Sequence, residues 1–135
     1  MTEVFADAFY FIALLNPSDQ HHAEAVRVTR GLIAPLVTTT CVLIEVADAL
    51  AAPGIRPIVH RFLEQLPADP NTKVIEIDAS LRMRGLALFG ARPDKSWSLT
   101  DCISFVVMAE RGITEALTGD HHFEQAGFRA VMKRP

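Results

Sequence analysis

The strongest constraint on the fold is the alternation, along the whole chain, of short apolar runs with longer stretches of helical period. Val4 to Ala6, Leu36 to Thr39, Lys73 to Ile77, Glu115 to Thr118 and Arg129 to Met132 are too short for helices, and several are β-branched or alternating, as strands are. The segments between them read as helices. Ala8 to Leu15 is apolar and stopped by Asn16-Pro17, and Asp19 can cap a second helix to about Ile33, with Ala23, Val26 and Ile33 facing inward. Cys41 to Ala51 is strongly apolar and closed by Pro53-Gly54, and Ile55 to Leu66 and Ala79 to Phe89 follow. Gly90 to Trp97 is a charged loop, Ser98 opens a helix to Glu110, and His121 to Ala126 makes a short one. Strands separated by helices of crossover length pair in parallel, so the pattern predicts an α/β domain with helices on both faces of a parallel sheet.

At 135 residues, half of them hydrophobic, the chain can bury one core, and residues 1–135 are expected to form a single domain. No apolar run approaches the roughly 20 residues that cross a bilayer. The start, Met1-Thr2-Glu3-Val4-Phe5, lacks a basic segment ahead of an apolar one, so it is not expected to be a secretory signal, and a cytoplasmic protein without a membrane partner is expected. Cys41 and Cys102 fit no Cys-x-x-Cys pattern and are expected to be buried, reduced thiols. The net charge of −3 and a pI near 5.9 argue against holding nucleic acid by bulk positive charge. Any RNA ligand needs local neutralisation of its phosphates, which bound divalent cations can supply.

Four acids stand out. Asp7 and Asp120 follow the first and fourth strands, and in open parallel sheets crevices form beyond the carboxyl ends of the strands. Either residue alone is equally well read as a turn former or helix cap. Glu45 lies inside Val42-Leu43-Ile44-Glu45-Val46-Ala47, a helix expected to be buried nearly all round, where a carboxylate requires a cation or an ion-pair partner. Otherwise Glu45 shares a narrow solvent stripe with Asp48. Asp101 completes a capping box, Ser98-Leu99-Thr100-Asp101, and from that place can also point toward the sheet edge. Asp94 reads as solvated. Four carboxylates without Cys or His suit Mg2+ or Mn2+ rather than zinc, and the pairs His21-His22 and His121-His122 read as surface residues. No P-loop, dinucleotide loop or Gly-x-Ser-x-Gly elbow is present.

The order and spacing of these pieces resemble the PIN-domain family and, within it, the VapC-type toxins of bacterial toxin–antitoxin pairs. The resemblance covers essentially the whole chain. It rests on Phe5-Ala6-Asp7, Ala13-Leu14-Leu15-Asn16-Pro17 with His22, and Thr38-Thr39-Thr40 leading to Glu45. Ser98-Leu99-Thr100-Asp101-Cys102, Met108, and Leu117-Thr118-Gly119-Asp120-His121-His122-Phe123 with Ala126-Gly127-Phe128 complete it. It implies a three-layer α/β/α domain with a five-stranded sheet ordered 3-2-1-4-5, which sets Asp7 beside Asp120. Many relatives carry Ser or Thr directly after the first Asp, where this chain has Ala8.

The resemblance also implies an endoribonuclease that hydrolyses RNA phosphodiesters by in-line attack of water activated by one or two cations, Mg2+ or Mn2+. Asp7 and Asp101 are the first expected ligands, Glu45 a ligand or an orienter of the water, and Asp120 a supporting residue. A cognate antitoxin and a homodimer are the implied partners besides RNA. Of the basic segment with Arg82, Arg84, Arg92 and Lys95, the last two are the best candidates to grip RNA, and Trp97 reads as a packing anchor. A PIN-like module that binds RNA or protein without cutting is the alternative, and the complete acid set speaks against it.

Overall fold

The computed structural model describes residues 2–132. Strand β1 (Val4–Ala6) leads into helices α1 (Ala8–Leu15) and α2 (His22–Gly31), and β2 (Leu36–Thr39) into α3 (Thr40–Ala49) and α4 (Arg56–Gln65). A 3₁₀ turn (Leu66–Ala68) precedes β3 (Thr72–Ile75), which is followed by α5 (Ala79–Ala91) and α6 (Leu99–Arg111). Strand β4 (Glu115–Leu117), helix α7 (His121–Gln125) and strand β5 (Arg129–Ala130) complete the order. All strand pairs are parallel, in the order β3-β2-β1-β4-β5, and the helices sandwich the sheet in the expected α/β/α arrangement. Among the described residues no helix is long and apolar enough to cross a membrane.

Strand β1 is central and wholly buried, so it reads as a continuous apolar run rather than an alternating one. Chain order reverses around it: β2 and β3 extend to one side, β4 and β5 to the other. The register pairs Phe5 with Ala116 and Ala6 with Leu117, which fixes Asp7 next to the residues that follow β4. Thr38 Oγ1 donates to the Ala6 carbonyl at 2.8 Å, tying β2 to the end of β1.

Two expectations need correction. Helix α2 starts at His22, because the Asp19 carboxylate accepts from the His21 N–H in a tight turn instead of capping the helix. Its inner face is then set by Ala25 and Val28, and the Thr29 hydroxyl meets Tyr10 of α1 at 2.7 Å; Ala23 is exposed, Val26 half-buried, and Ile33, beyond the helix end, 79% exposed. Helix α3 is not buried all round either. It buries Val42 and Val46 and leaves Ile44 60% exposed.

An aromatic chain runs behind α6 and α7. Trp97 meets Phe105 edge-on at 5.0 Å, Phe105 meets Phe123 at 4.9 Å, and Phe123 lies 6.4 Å from Phe5 of β1. Trp97 is buried and its Nε1 donates to Gln125 Oε1 at 3.0 Å, so it anchors the loop before α6 as expected. Both cysteines are free, Cys102 buried and Cys41 half-buried.

Helices α5 and α6 touch through Gly85, where an added Cβ would collide with the Ile103 side chain and come within 3.3 Å of its Cα. Alanine gains about 0.5–1 kcal/mol over glycine inside a helix, but overpacking against a backbone costs about 1–3 kcal/mol. Gly85→Ala is expected to destabilise the protein by about 1–2 kcal/mol in urea melts. Gly90→Ala, on the same helix with open space around its Cβ, is expected to stabilise it by a few tenths to about 1 kcal/mol. Equal effects at both positions would refute the close helix contact.

Candidate active site

Asp7 leaves the carboxyl end of β1 at the N-cap position of α1, yet its side chain makes no capping hydrogen bond. The carboxyl faces Thr118, whose Oγ1 donates to Oδ2 at 2.8 Å and itself accepts the Asp120 N–H at 3.0 Å. A buried hydroxyl from the far side of the strand pair thus serves Asp7, although Ala8 offers none. Asp7 is only 6% exposed. Burial pushes its pKa up to about 7, against the pull of the Thr118 hydroxyl and the Ala8 N–H, and the charges of Asp101 and Glu45 raise it further.

Asp101 and Ser98 form the expected capping box at the start of α6, and Asp101 Oδ2 accepts from Ser98 N at 3.1 Å. The same oxygen receives His122 Nδ1–H at 3.1 Å. Capping and site geometry therefore coexist in one side chain. Asp120 caps α7 by accepting the His122 N–H on Oδ1 at 2.9 Å, and that oxygen lies 3.5 Å from His122 Nδ1 and 3.6 Å from His121 Nδ1.

Glu45 sits on the second turn of α3, which starts where Thr39 accepts the Val42 N–H. It is exposed as a residue, on the solvent stripe it shares with Asp48 rather than buried on all sides, because the helix turns that stripe away from the sheet. Its carboxyl still approaches the pocket. Partial burial is the first cause of its raised pKa, followed by the charges of Asp101 and Asp120. The charges of Asp101 and Glu45 thus act on Asp7, and those of Asp101 and Asp120 on Glu45, near the switch point of the sheet.

Other expected residues fall elsewhere or gain a role. Asp48 is exposed, and exposed Asp94 is held by Arg92 through two contacts of 3.0 Å. Arg92 also lies over the Trp97 ring at 5.1 Å, and with Lys95 it lines a cavity that reaches Cys102, the neighbour of Asp101. Arg84 pairs with Glu110 and Arg82 touches the Met83 sulfur, so neither joins that cavity. His22 packs on α1 through the Ala13 carbonyl. His122, expected at the surface, is instead partly buried, with its ring 3.1 Å from Asp101. An Asp cap binds the N–H two residues on, so Asp120 draws His122 close from local geometry alone. Only the packing of α6 brings Asp101 to its ring.

Four carboxylates are the donor chemistry of a hard divalent cation. The charges acting on Asp7 and Glu45 are those of other carboxylates, and a hard cation relieves that repulsion while satisfying oxygen donors.

The fold and the pocket define a class: a small parallel α/β/α domain with carboxylates gathered beyond its central strand. The model of the PIN domain family matches residues 4–129, and the chain belongs to that family. It is 28% identical over 131 residues to the 23S rRNA-specific endonuclease VapC20 of Mycobacterium tuberculosis, in strains CDC 1551 and H37Rv, covering 95% of this chain and 97% of the relative. It is also similar to the crystal structure of Mycobacterium tuberculosis VapC20, a sarcin-ricin loop cleaving toxin. The TM-score is 0.86 at 25% identity, over 98% of this chain and 99% of that one.

Proposed function

We propose that the chain is an endoribonuclease that hydrolyses RNA phosphodiesters with Mg2+ or Mn2+ as cofactor, and that it is the toxin of a type II toxin–antitoxin pair. The observation that carries this reading is the Asp7 carboxyl, buried at the carboxyl end of the central strand and within reach of the charges of Asp101 and Glu45. Such a group is costly in a merely structural role and useful in a cation site. Similarity to a 23S rRNA-specific endonuclease and to a toxin that cleaves the sarcin-ricin loop supports RNA as substrate and a structured ribosomal loop as the first target to test.

Asp7 and Asp101 are assigned as ligands, Glu45 as ligand or as orienter of the attacking water, and Asp120 as a supporting acid. A bound cation supplies Lewis acidity, lowering the pKa of water and neutralising charge at the phosphoryl and leaving 3′ oxygens. Thr118 holds Asp7 in place, and the Ser98 N–H and His122 hold Asp101. Glu45, on the rim, can accept a proton from the water as it attacks in line. Products then carry a 5′ phosphate and a 3′ hydroxyl. Arg92 and Lys95 are assigned to the flanking phosphates, with Arg92 exchanging Asp94 for the RNA. A cognate antitoxin that places an Arg against the carboxylates, a homodimer and action in the cytoplasm belong to the same reading.

Incubating the protein with intact ribosomes, 23S rRNA and a sarcin-ricin hairpin, with Mn2+, Mg2+ or chelator, tests it. Discrete cleavage that needs the cation and leaves ligatable 5′ phosphates is the expected result. Intact RNA under every ion would overturn the enzyme assignment.

A further inference from the structure

His121 and His122 follow the Asp120 cap directly, and the three side chains each offer one ligand atom, all within 4.8 Å of one another. The imidazole rings lie 4.5 Å apart, and both Nδ1 atoms approach the same oxygen, Asp120 Oδ1, at 3.5 and 3.6 Å. Ligands about 2.0–2.1 Å from a tetrahedral ion are separated by about 3.3 Å, so these spacings are close to those of a chelate. The donor chemistry differs from that of the neighbouring pocket. Imidazole nitrogen is a borderline ligand that favours zinc-like first-row ions, whereas an all-carboxylate set suits magnesium. The His121 side chain is 63% exposed, which leaves the cluster open to an incoming ion, and the nearby carboxylates of Asp101 and Glu45 add attraction for a cation.

From this geometry we infer that Asp120, His121 and His122 form a second cation site, one that takes a zinc-like first-row transition ion through two imidazoles and one carboxylate. The site adjoins the carboxylate pocket and shares Asp120 with it. His122 couples the two. In the hydrogen-bonded arrangement its Nδ1 carries the proton and donates to Asp101 Oδ2; ligation through Nδ1 requires the tautomer with the proton on Nε2. One ring therefore cannot tether Asp101 and bind the ion through the same nitrogen. Zinc loading accordingly withdraws both Asp120 and the Asp101 tether from the carboxylate pocket and weakens its hold on magnesium. This last consequence rests on the proposed nuclease site, whereas the zinc site itself does not.

Titration of the metal-free full chain with Co2+ followed by its visible absorption, and with Zn2+ by calorimetry, tests the assignment without RNA. One ion per chain with nitrogen-type absorption is expected in Asp7→Asn, and up to two ions in the wild type, where the carboxylate pocket also takes a cation. His121→Ala is a suitable probe because the residue is exposed, and it is expected to weaken Zn2+ binding by at least about 10-fold; His122→Ala is expected to do the same. Circular dichroism checks that both variants fold. Zinc binding lost in Asp7→Asn but kept in His121→Ala would place the ion among the carboxylates and overturn the proposal, as would the absence of any Co2+ signal. If the Co2+ result holds and no RNA is cleaved, the nuclease assignment fails and the zinc site stands.

Discussion

Asp7→Asn and Asp101→Asn are each expected to lower cation-dependent RNA cleavage by on the order of 10²–10³-fold or more, the scale on which loss of one electrostatic stabiliser acts. Both substitutions keep the shape of the side chain. Asn can still accept from the Thr118 hydroxyl at position 7, and from the Ser98 N–H at position 101, so the strand junction and the capping box survive. What is lost is a negative oxygen donor. Asp48→Asn and Asp94→Asn serve as controls because both side chains are exposed, and Asp94 is engaged by Arg92. If Asp7 and Asp101 only shaped the chain, their replacement would cost about 0.5–2 kcal/mol of stability, and activity would fall only with the folded fraction. Steady-state kinetics beside a urea melt separates the cases. Full activity in Asp7→Asn would mean that the pocket is misassigned.

The second large effect is on stability. In the folded chain Asp7 is raised from its ordinary 3.8 to about 7, so folding favours its protonated form. That contribution is complete below the unfolded value and is lost as pH rises through the folded one. At about 1.4 kcal/mol for each tenfold change in proton affinity, the cation-free protein is expected to lose up to about 4 kcal/mol between pH 4 and pH 7 through this one group. Glu45 is shifted in the same direction, whereas Glu3 and Asp94, held low by Arg111 and Arg92, act oppositely. The difference between wild type and Asp7→Asn isolates Asp7. The two proteins are expected to match near pH 4, with the variant more stable by up to about 4 kcal/mol above pH 7 in chelator. Mg2+ or Mn2+ binds the ionised carboxylate, so added cation is expected to raise the melting temperature of wild type at pH 8 and to do little for the variant. Parallel stability curves from pH 4 to pH 8 would show that burial places no such strain on Asp7.

Much of the architecture is written in local signals. Val4–Ala6, Ala8–Leu15 and Leu36–Thr39 stand where their period, β-branching and the Asn16-Pro17 stop put them, since each choice is made within a few residues. The Ser98–Asp101 capping box is likewise a short-range device, and it starts α6 as expected. Strand order came from the family resemblance rather than from any local rule, and the parallel sheet agrees with it.

Local patterning along the chain sets the alternation of elements and puts Asp7 and Asp120 at strand ends. What surrounds each carboxylate depends on long-range packing. Glu45 lies in as apolar a segment as any in the chain, yet α3 packs through Val42 and Val46 and turns Glu45 outward to the rim, because the sheet covers one stripe of the helix. Thr118 and Asp7 are 111 residues apart and His122 and Asp101 are 21 apart; their hydrogen bonds exist because β1 pairs with β4 and α6 packs beside α7. Periodicity and capping report interactions within one or two turns. Desolvation and charge repulsion depend on distances through space, and those are set only when the sheet and its helices close around the pocket.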